Sequence, residues 1–235
     1  MIVSFGRVIV RPSSVVLVSG GLDSAVLLVH EAAQFDVRPI YVRCGLAWEA
    51  AELRMLSRVM ASPAMTGRLQ PLTVVDLPMH DVYAADHWAI AGRPPAYDSP
   101  DAAVYLVGRN ITLLAKAGIL AARGDARRIA LGPLTGNPFP DTTPAFFAAM
   151  AEALSRGLAY SLTIVTPFSA LQKRQVIELG ARLGVPFDLT LSCLGPEDDA
   201  HCGRCSKCRE RREAFAEAGV LDPSVYAHPA PSPPA

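Results

Sequence analysis

The sequence predicts an α/β domain: a parallel sheet with helices on both faces, and a small cysteine-bearing segment appended towards the C-terminal end. Three observations predict it. Short apolar runs alternate with longer segments whose apolar residues recur at helical spacing, the pattern of strands joined by crossover helices. The first apolar run leads straight into two adjacent glycines and a helix start bearing Asp and Ser, a turn of the kind that lies outside the carboxyl end of a strand. Four of the five cysteines fall between positions 193 and 208. At 235 residues the chain suits one well-filled domain with an appendage. The expected division is 1–190 for the α/β domain, 191–220 for the cysteine segment and 221–235 for a Pro-rich end without fixed structure.

The elements follow in order. Val15–Val18 reads as a buried strand and Ser24 to about Gln34 as its helix. Val37–Val42 is a second strand, and Trp48–Met60 a helix with Leu53, Leu56 and Val59 on one side. Leu72–Leu77 is a third strand. Residues Ala84–Pro100 mix Gly, Pro, Tyr and His without periodicity, which marks a loop or lid. Tyr105–Arg123 carries an apolar helical face through Ile111, Leu114 and Leu120. Arg128–Leu131 is a short strand running into the Pro/Gly-rich stretch Gly132–Pro144, and Pro144–Leu158 is a helix. Leu162–Thr166 is the last strand, followed by a helix over Ser169–Leu183 with Ser169 as its N-cap.

The string Ser19-Gly20-Gly21-Leu22-Asp23-Ser24 has the chemistry of an anion site. Glycine permits positive φ and leaves no Cβ between backbone and ligand, so loop N–H groups and the helix dipole face one oxyanion cluster. Phosphate is the natural occupant, and a side chain at Gly20 is expected to crowd it. The string is not the Walker pattern, which spaces its glycines more widely and places Lys before Ser/Thr. An ordinary strand-to-helix turn is the plain alternative.

Cys193, Cys202, Cys205 and Cys208 have the spacing of a four-thiolate zinc site, with Gly203 allowing the sharp turn. A disulfide set or an iron–sulfur cluster is the competing chemistry. A closed four-thiolate site serves folding rather than catalysis. The basic residues around it (Arg204, Lys207, Arg209, Arg211 and Arg212) read as a solvated helix face. Lys plus Arg and Asp plus Glu are 22 each, so the net charge of zero leaves no global footprint for nucleic acid. No apolar stretch approaches the roughly 20 residues of a membrane span. With no leader-like run at the start, a reducing cytoplasm is expected.

The glycine string resembles the PP-loop of ATP pyrophosphatases. From about Val15 to about Phe215 the chain resembles the 7-cyano-7-deazaguanine synthases of the queuosine pathway. The likeness rests on that loop, on Gly108-Arg109-Asn110, Phe139-Pro140-Asp141, Thr166-Pro167 with Lys173 following, and the S-C-x8-C-G-x-C-x2-C cysteine signature. It implies an adenine-nucleotide-hydrolase-like fold and an ATP-dependent ligase. Such an enzyme adenylates 7-carboxy-7-deazaguanine and passes it through the amide to the nitrile with ammonia. It also implies a structural Zn²⁺, Mg²⁺ with ATP, and a homodimer.

The implied roles map residue by residue. Val18, Ser19, Gly20, Gly21, Leu22, Asp23 and Ser24 bind ATP, with Asp23 helping to place Mg²⁺. Lys173 stabilises charge at the α-phosphate, so Asp23 and Lys173 are the catalytic pair. Arg109, Asn110 and Asp141 meet the substrate, and the four cysteines hold the metal. Five of these have ordinary alternatives: helix capping for Asp23 and Asn110, surface charge for Arg109 and Lys173, and turn chemistry for Asp141.

The pattern departs from the family at Gly132–Thr143, which lacks the family's acidic residue after the strand and the Cys and Arg after Pro-Asp. It departs again at Arg43–Glu49. A paralogue acting on another carboxylate therefore stays open. So do a transfer-RNA sulfur transferase and a non-catalytic nucleotide-binding or zinc-ribbon module.

Overall fold

The computed structural model describes residues 11–65 and 69–231. Five parallel strands form one sheet in the order β3-β2-β1-β4-β5. They are β1 Ser13–Leu17, β2 Asp36–Arg43, β3 Thr73–Asp76, β4 Arg128–Ala130 and β5 Thr163–Val165. The chain winds outward one way through β2 and β3, then returns to the other side of β1 for β4 and β5. The point where that order reverses, between the carboxyl ends of β1 and β4, is where such sheets open a crevice for ligands.

Alternation along β1 builds two cores. Val16 joins Leu22, Val26, Leu56, Phe168, Ile177 and Phe215 on one face. Val15 and Leu17 join Trp48, Leu114, Ile129 and Phe147 on the other. Helices α1 (Leu22–Ala32), α2 (Glu49–Ala61), α6 (Lys173–Arg182) and α7 (Ser206–Ala218) feed the first core, and α4 (Arg109–Arg123) and α5 (Pro144–Gly157) the second. A short helix, α3 (Trp88–Ala91), lies in the segment before α4.

Three boundaries differ from the sequence reading in ways that matter to the site. Helix α1 starts at Leu22, directly after the extended residue Gly21, so its free N–H groups begin inside the glycine loop. Helix α4 starts at Arg109 because Gly108, at φ +79°, turns the chain sharply into it. Helix α6 starts at Lys173 rather than Ser169. Residues 166–171 close turns of their own, Ser169 N–H to the Thr166 carbonyl and Leu171 N–H to that of Phe168. Gln172 and Gln175 then form a capping box, which sets Lys173 in the first turn.

The C-terminal stretch also differs. His201 and Tyr226 form a bridge, the Tyr226 hydroxyl bonds Asp222, and His228 pairs with Glu197. Gly203, at φ +80°, has no room for a side chain because the His228 carbonyl occupies that space. The expected structureless end is therefore laid against the cysteine segment through His228. Only 232–235 of it fall outside the described residues.

Candidate active site

The glycine loop is set by its own hydroxyls. Ser24 Oγ accepts the Ser19 N–H at 3.2 Å and donates to the Gly21 carbonyl at 2.9 Å, while Ser19 Oγ accepts the Gly21 N–H at 3.3 Å. Gly20 adopts φ +74°. A Cβ there would lie 2.9 Å from the Glu52 carbonyl of α2. Gly20 therefore makes room for the neighbouring helix, a packing reason for glycine that the sequence reading did not give. Gly21 carries an ordinary extended backbone, and its built Cβ meets only Ser19 Oγ at 3.2 Å and the Leu191 carbonyl at 3.6 Å.

Asp23 and Lys173, 150 residues apart in sequence, are brought into a short ion pair at the loop. Lys173 also reaches Glu210 on α7 at 3.2 Å, and Glu210 pairs in turn with Lys207. Four charges thus alternate in sign from the glycine loop to the cysteine segment. Burial opposes the charge on Lys173, but Asp23 and Glu210 overcome it and hold the ammonium above its ordinary range. Burial likewise opposes ionisation of Glu210, yet Lys173 and Lys207 pull its carboxyl down to about 2. Asp23 Oδ1 is buried with no hydrogen-bond partner, an orphaned acceptor facing the site.

A cleft with two adjoining lobes, of about 340 and 380 Å³, opens over this pair. The first lobe has aromatic walls: Trp48, Trp88, Tyr105 and Phe139 all line it. Trp48 and Trp88 stack at 5.5 Å with planes 8° apart, and Tyr105 and Phe139 stack at 4.9 Å. The second lobe holds Gly21, Lys173 and Glu210. Asp23, Arg109 and Lys207 line both.

Asn110 and Asp141 line the aromatic lobe but also hold each other. Asp141 Oδ2 accepts the Asn110 N–H at 3.1 Å, and Asn110 Nδ2 donates to the Asp141 carbonyl at 2.9 Å. Helix α4 has no side-chain cap from Gly108, so this carboxylate satisfies a free first-turn donor from across the cleft. On the opposite wall Glu52 is buried and accepts the Tyr41 hydroxyl at 2.7 Å. Burial pushes its pKa up to about 7, partly opposed by the Arg109 charge. Tyr41 is pushed upwards too, by burial first and then by Glu52.

The four cysteine sulfurs lie within 4.8 Å of one another, all buried. Sγ–Sγ separations are 3.9 Å for Cys193–Cys205 and Cys202–Cys208, and 3.5 Å for Cys205–Cys208. Backbone N–H groups of Cys202 and Gly195 point at Cys193 Sγ, and that of Arg204 at Cys202 Sγ. His201 is buried and accepts the Ser192 N–H, fixing the strand of chain that carries Cys193. The cluster can hold one metal ion.

Arg204 is exposed as expected, but Arg211, Arg212 and Lys207 are not part of a solvated face, which corrects that reading for them. Arg211 is fully buried and bonds Thr190, Ser192, the Phe187 carbonyl and Asp222. Arg212 lies 3.8 Å over the Tyr226 ring. Lys207 turns into the cleft. Segment 84–100 is anchored rather than free: Ala96 bridges Cys205, and the Ser206 N–H bonds the Pro95 carbonyl.

Sequence reasoning therefore named the loop, Asp23, Lys173, Arg109 and the thiolates, and the structure brings these together. It missed Lys207, Glu210, Glu52 and the aromatic wall. Spacing gave one usable signal, the Lys207/Glu210 pair one helical turn apart and flanking Cys208. The four aromatics come from four separate segments, and no local pattern joins them.

The strand order, the glycine loop at the switch point and the appended thiolate cluster define a PP-loop α/β protein. Residues 13–219 match the family described as "Queuosine biosynthesis protein QueC". The chain belongs to that family of enzymes. It is 35% identical to the 7-cyano-7-deazaguanine synthase of Anaeromyxobacter dehalogenans, with 91% of this chain and 95% of that protein aligned. It is 36% identical to the synthase of the same name from Azoarcus sp., with 92% and 97% aligned. In fold it is similar to the U34-tRNA thiolase NcsA from Methanococcus maripaludis, a structure solved with its [4Fe-4S] cluster. The TM-score is 0.51 at 11% identity, over 92% of this chain and 76% of that one. Among the described residues no helix is long and apolar enough to cross a membrane.

Proposed function

We propose that the protein is an ATP-dependent C–N ligase that converts 7-carboxy-7-deazaguanine to 7-cyano-7-deazaguanine. The observation that carries this is the Asp23–Lys173 pair at the mouth of the glycine loop, opening onto a lobe walled by aromatic rings. Such a lobe suits a planar heterocycle. Its position brings a carboxylate on that ring beside the α-phosphate of an ATP seated on the loop.

In this reading the N–H groups from Gly21 to Ser24 hold the β- and γ-phosphates. Lys173 neutralises charge that develops at the α-phosphorus as the substrate carboxylate oxygen attacks and pyrophosphate leaves. Ammonia then attacks the acyl carbon and displaces AMP, giving the amide and releasing a proton. A second ATP activates the amide oxygen, which departs as AMP as the nitrogen loses two protons and the nitrile forms. Arg109, lining both lobes, steadies the carboxylate or a phosphate. Asp23 Oδ1 is a fitting oxygen ligand for the Mg²⁺ that accompanies ATP.

Zinc fits the four thiolates. Tetrahedral Zn–S bonds of about 2.3 Å place sulfurs roughly 3.8 Å apart; three of the sulfur pairs lie at 3.5 to 3.9 Å, and all four sulfurs within 4.8 Å of one another. Sulfurs this close leave room for one ion rather than a cluster of irons. The division into an α/β domain to 190 and a zinc segment over 191–220, and a homodimer, belong to the same reading; mass in solution tests the dimer.

A second reading, a paralogue with another acceptor, draws on one observation. Asp141, the single acidic residue of 132–143, is engaged in capping α4. A sulfur transferase fits less well, since all five cysteines are buried and none presents an open sulfur. Incubation with the acid, ATP, Mg²⁺ and ammonium, followed by mass spectrometry, is the test. Nitrile with AMP and pyrophosphate is expected; AMP release with a different carboxylate only would move the protein to the second reading.

A further inference from the structure

The ring-binding lobe has a charge problem that the loop after β4 does not solve. Residues 132–143 contain no cation, and their one carboxylate caps α4. An acid whose ring lies among Trp88, Tyr105 and Phe139 still needs a positive partner for its carboxylate before ATP can react with it. Lys173 does not line this lobe; the cations that do are Arg109 and Lys207. Arg109 enters from α4, on the sheet side of the cleft. Lys207 enters from a different element, the first turn of α7, and lies between Cys205 and Cys208 in sequence.

We infer that Lys207 is a specificity-determining residue that binds the carboxylate of the acceptor, delivered into the cleft by the cysteine segment. The inference rests on the proposed ligase reading. Its geometry is well suited to the task. The Lys207 side chain is 30% exposed, and its ammonium is held by Glu210. Glu210 is shared with Lys173, so when Lys207 swings to an incoming carboxylate Glu210 stays paired. The thiolates fix the backbone that carries Lys207, and its pairing with Glu210 already restrains the side chain, so binding adds less ordering than for a free lysine. The cysteine segment then contributes to recognition as well as to folding.

Calorimetry on the intact metal-loaded protein separates the possibilities, using 7-carboxy-7-deazaguanine, the neutral 7-amido compound and ATP–Mg²⁺ as three probes. Wild type should prefer the acid over the amide by tenfold or more. Lys207→Met keeps the apolar stem and, with Arg109 still in place, should lower that preference severalfold, while amide and ATP affinities stay within about twofold. Lys207→Arg should restore most of the preference. Metal content and melting temperature should match wild type in both variants. Unchanged acid affinity in Lys207→Met overturns the inference and leaves the ligase reading standing. An equal loss for ATP and acid also overturns it, by making Lys207 part of the phosphate cradle. A wild type that binds neither purine, yet binds ATP, overturns both.

Discussion

The glycine loop and the cysteine segment meet at Lys173 and Glu210, yet they are built in opposite ways. The loop is largely local: Ser19 and Ser24 close it on themselves through bonds that span two to five residues, and the Leu191 N–H to the Gly20 carbonyl and the Asp23–Lys173 pair are its long-range ties. The cysteine segment is assembled from distant chain. Ala96 bridges Cys205, Arg211 ties α7 to Asp222, and residues through His228 cover Gly203. A local motif stores its geometry in its own hydrogen bonds, so small changes there alter chemistry before they alter stability. A motif closed by long-range supports makes the opposite trade, and its loss should unfold its surroundings.

The largest expected effect tests that contrast at the thiolates. Cys205→Ser removes one of four metal ligands and leaves three buried thiols crowded together. Structural zinc in small sites contributes on the order of 10 kcal/mol of apparent binding energy, comparable to the whole stability of a domain. The variant should lose its metal and melt far below wild type, read by elemental analysis and calorimetric melting. A stable, metal-free Cys205→Ser protein would break the comparison.

Next in size is the contact between the two regions. Lys173→Met leaves Asp23 and Glu210 without their shared cation and removes the charge proposed to face the α-phosphate. Turnover should fall about 10²- to 10³-fold, as for loss of a preorganised transition-state donor. KM for ATP should change much less, and steady-state kinetics separates the two. A turnover within tenfold of wild type would assign Lys173 to structure alone.

Glu52 gives a pH signature on the loop side. A carboxyl raised to about 7 when folded and about 4.5 when unfolded stays protonated in the native state after the unfolded chain has ionised. Below pH 4.5 both forms bind the proton and nothing is lost. Between pH 4.5 and 7 native stability falls, by roughly 3 kcal/mol at most, and the loss is complete above 7. Glu52→Gln retains an acceptor for Tyr41 and should remove that slope, measured by urea unfolding across this range. A variant with the wild-type slope would place the buried charge elsewhere.

What the sequence disclosed follows the same division. Ser19–Ser24 and the four cysteines were legible because their chemistry needs fixed residue types at fixed spacing. The alternating strands were legible because buried parallel strands leave continuous apolar runs, as in Val15–Val18. Lys173 was named while its helix start was misplaced at Ser169, because capping by Gln172 and Gln175 competes with a serine that caps nothing. The aromatic wall was illegible, since Trp48, Trp88 and Phe139 share no local register. Arg211 read as surface charge because its partners, Thr190, Ser192 and Asp222, lie outside its own helical turn.

The smallest effect concerns the two glycines, and it sharpens the comparison most. Gly20 and Gly21 look equivalent in sequence but face different neighbours. Alanine at Gly20 must hold φ near +74° and meets the α2 backbone at 2.9 Å, so part of the local motif behaves like a packing residue. Gly20→Ala should lose about 2 kcal/mol of stability. Gly21→Ala keeps an allowed backbone and displaces only the Ser19 hydroxyl, so its stability should change by a few tenths of a kcal/mol. Its methyl sits at the start of α1, where the proposed phosphate site meets the backbone, so ATP affinity should fall about tenfold. Urea unfolding and nucleotide titration on both variants read the two effects separately. If Gly20→Ala proves the stable variant with poor ATP binding, the phosphates rather than α2 fill the space beside it.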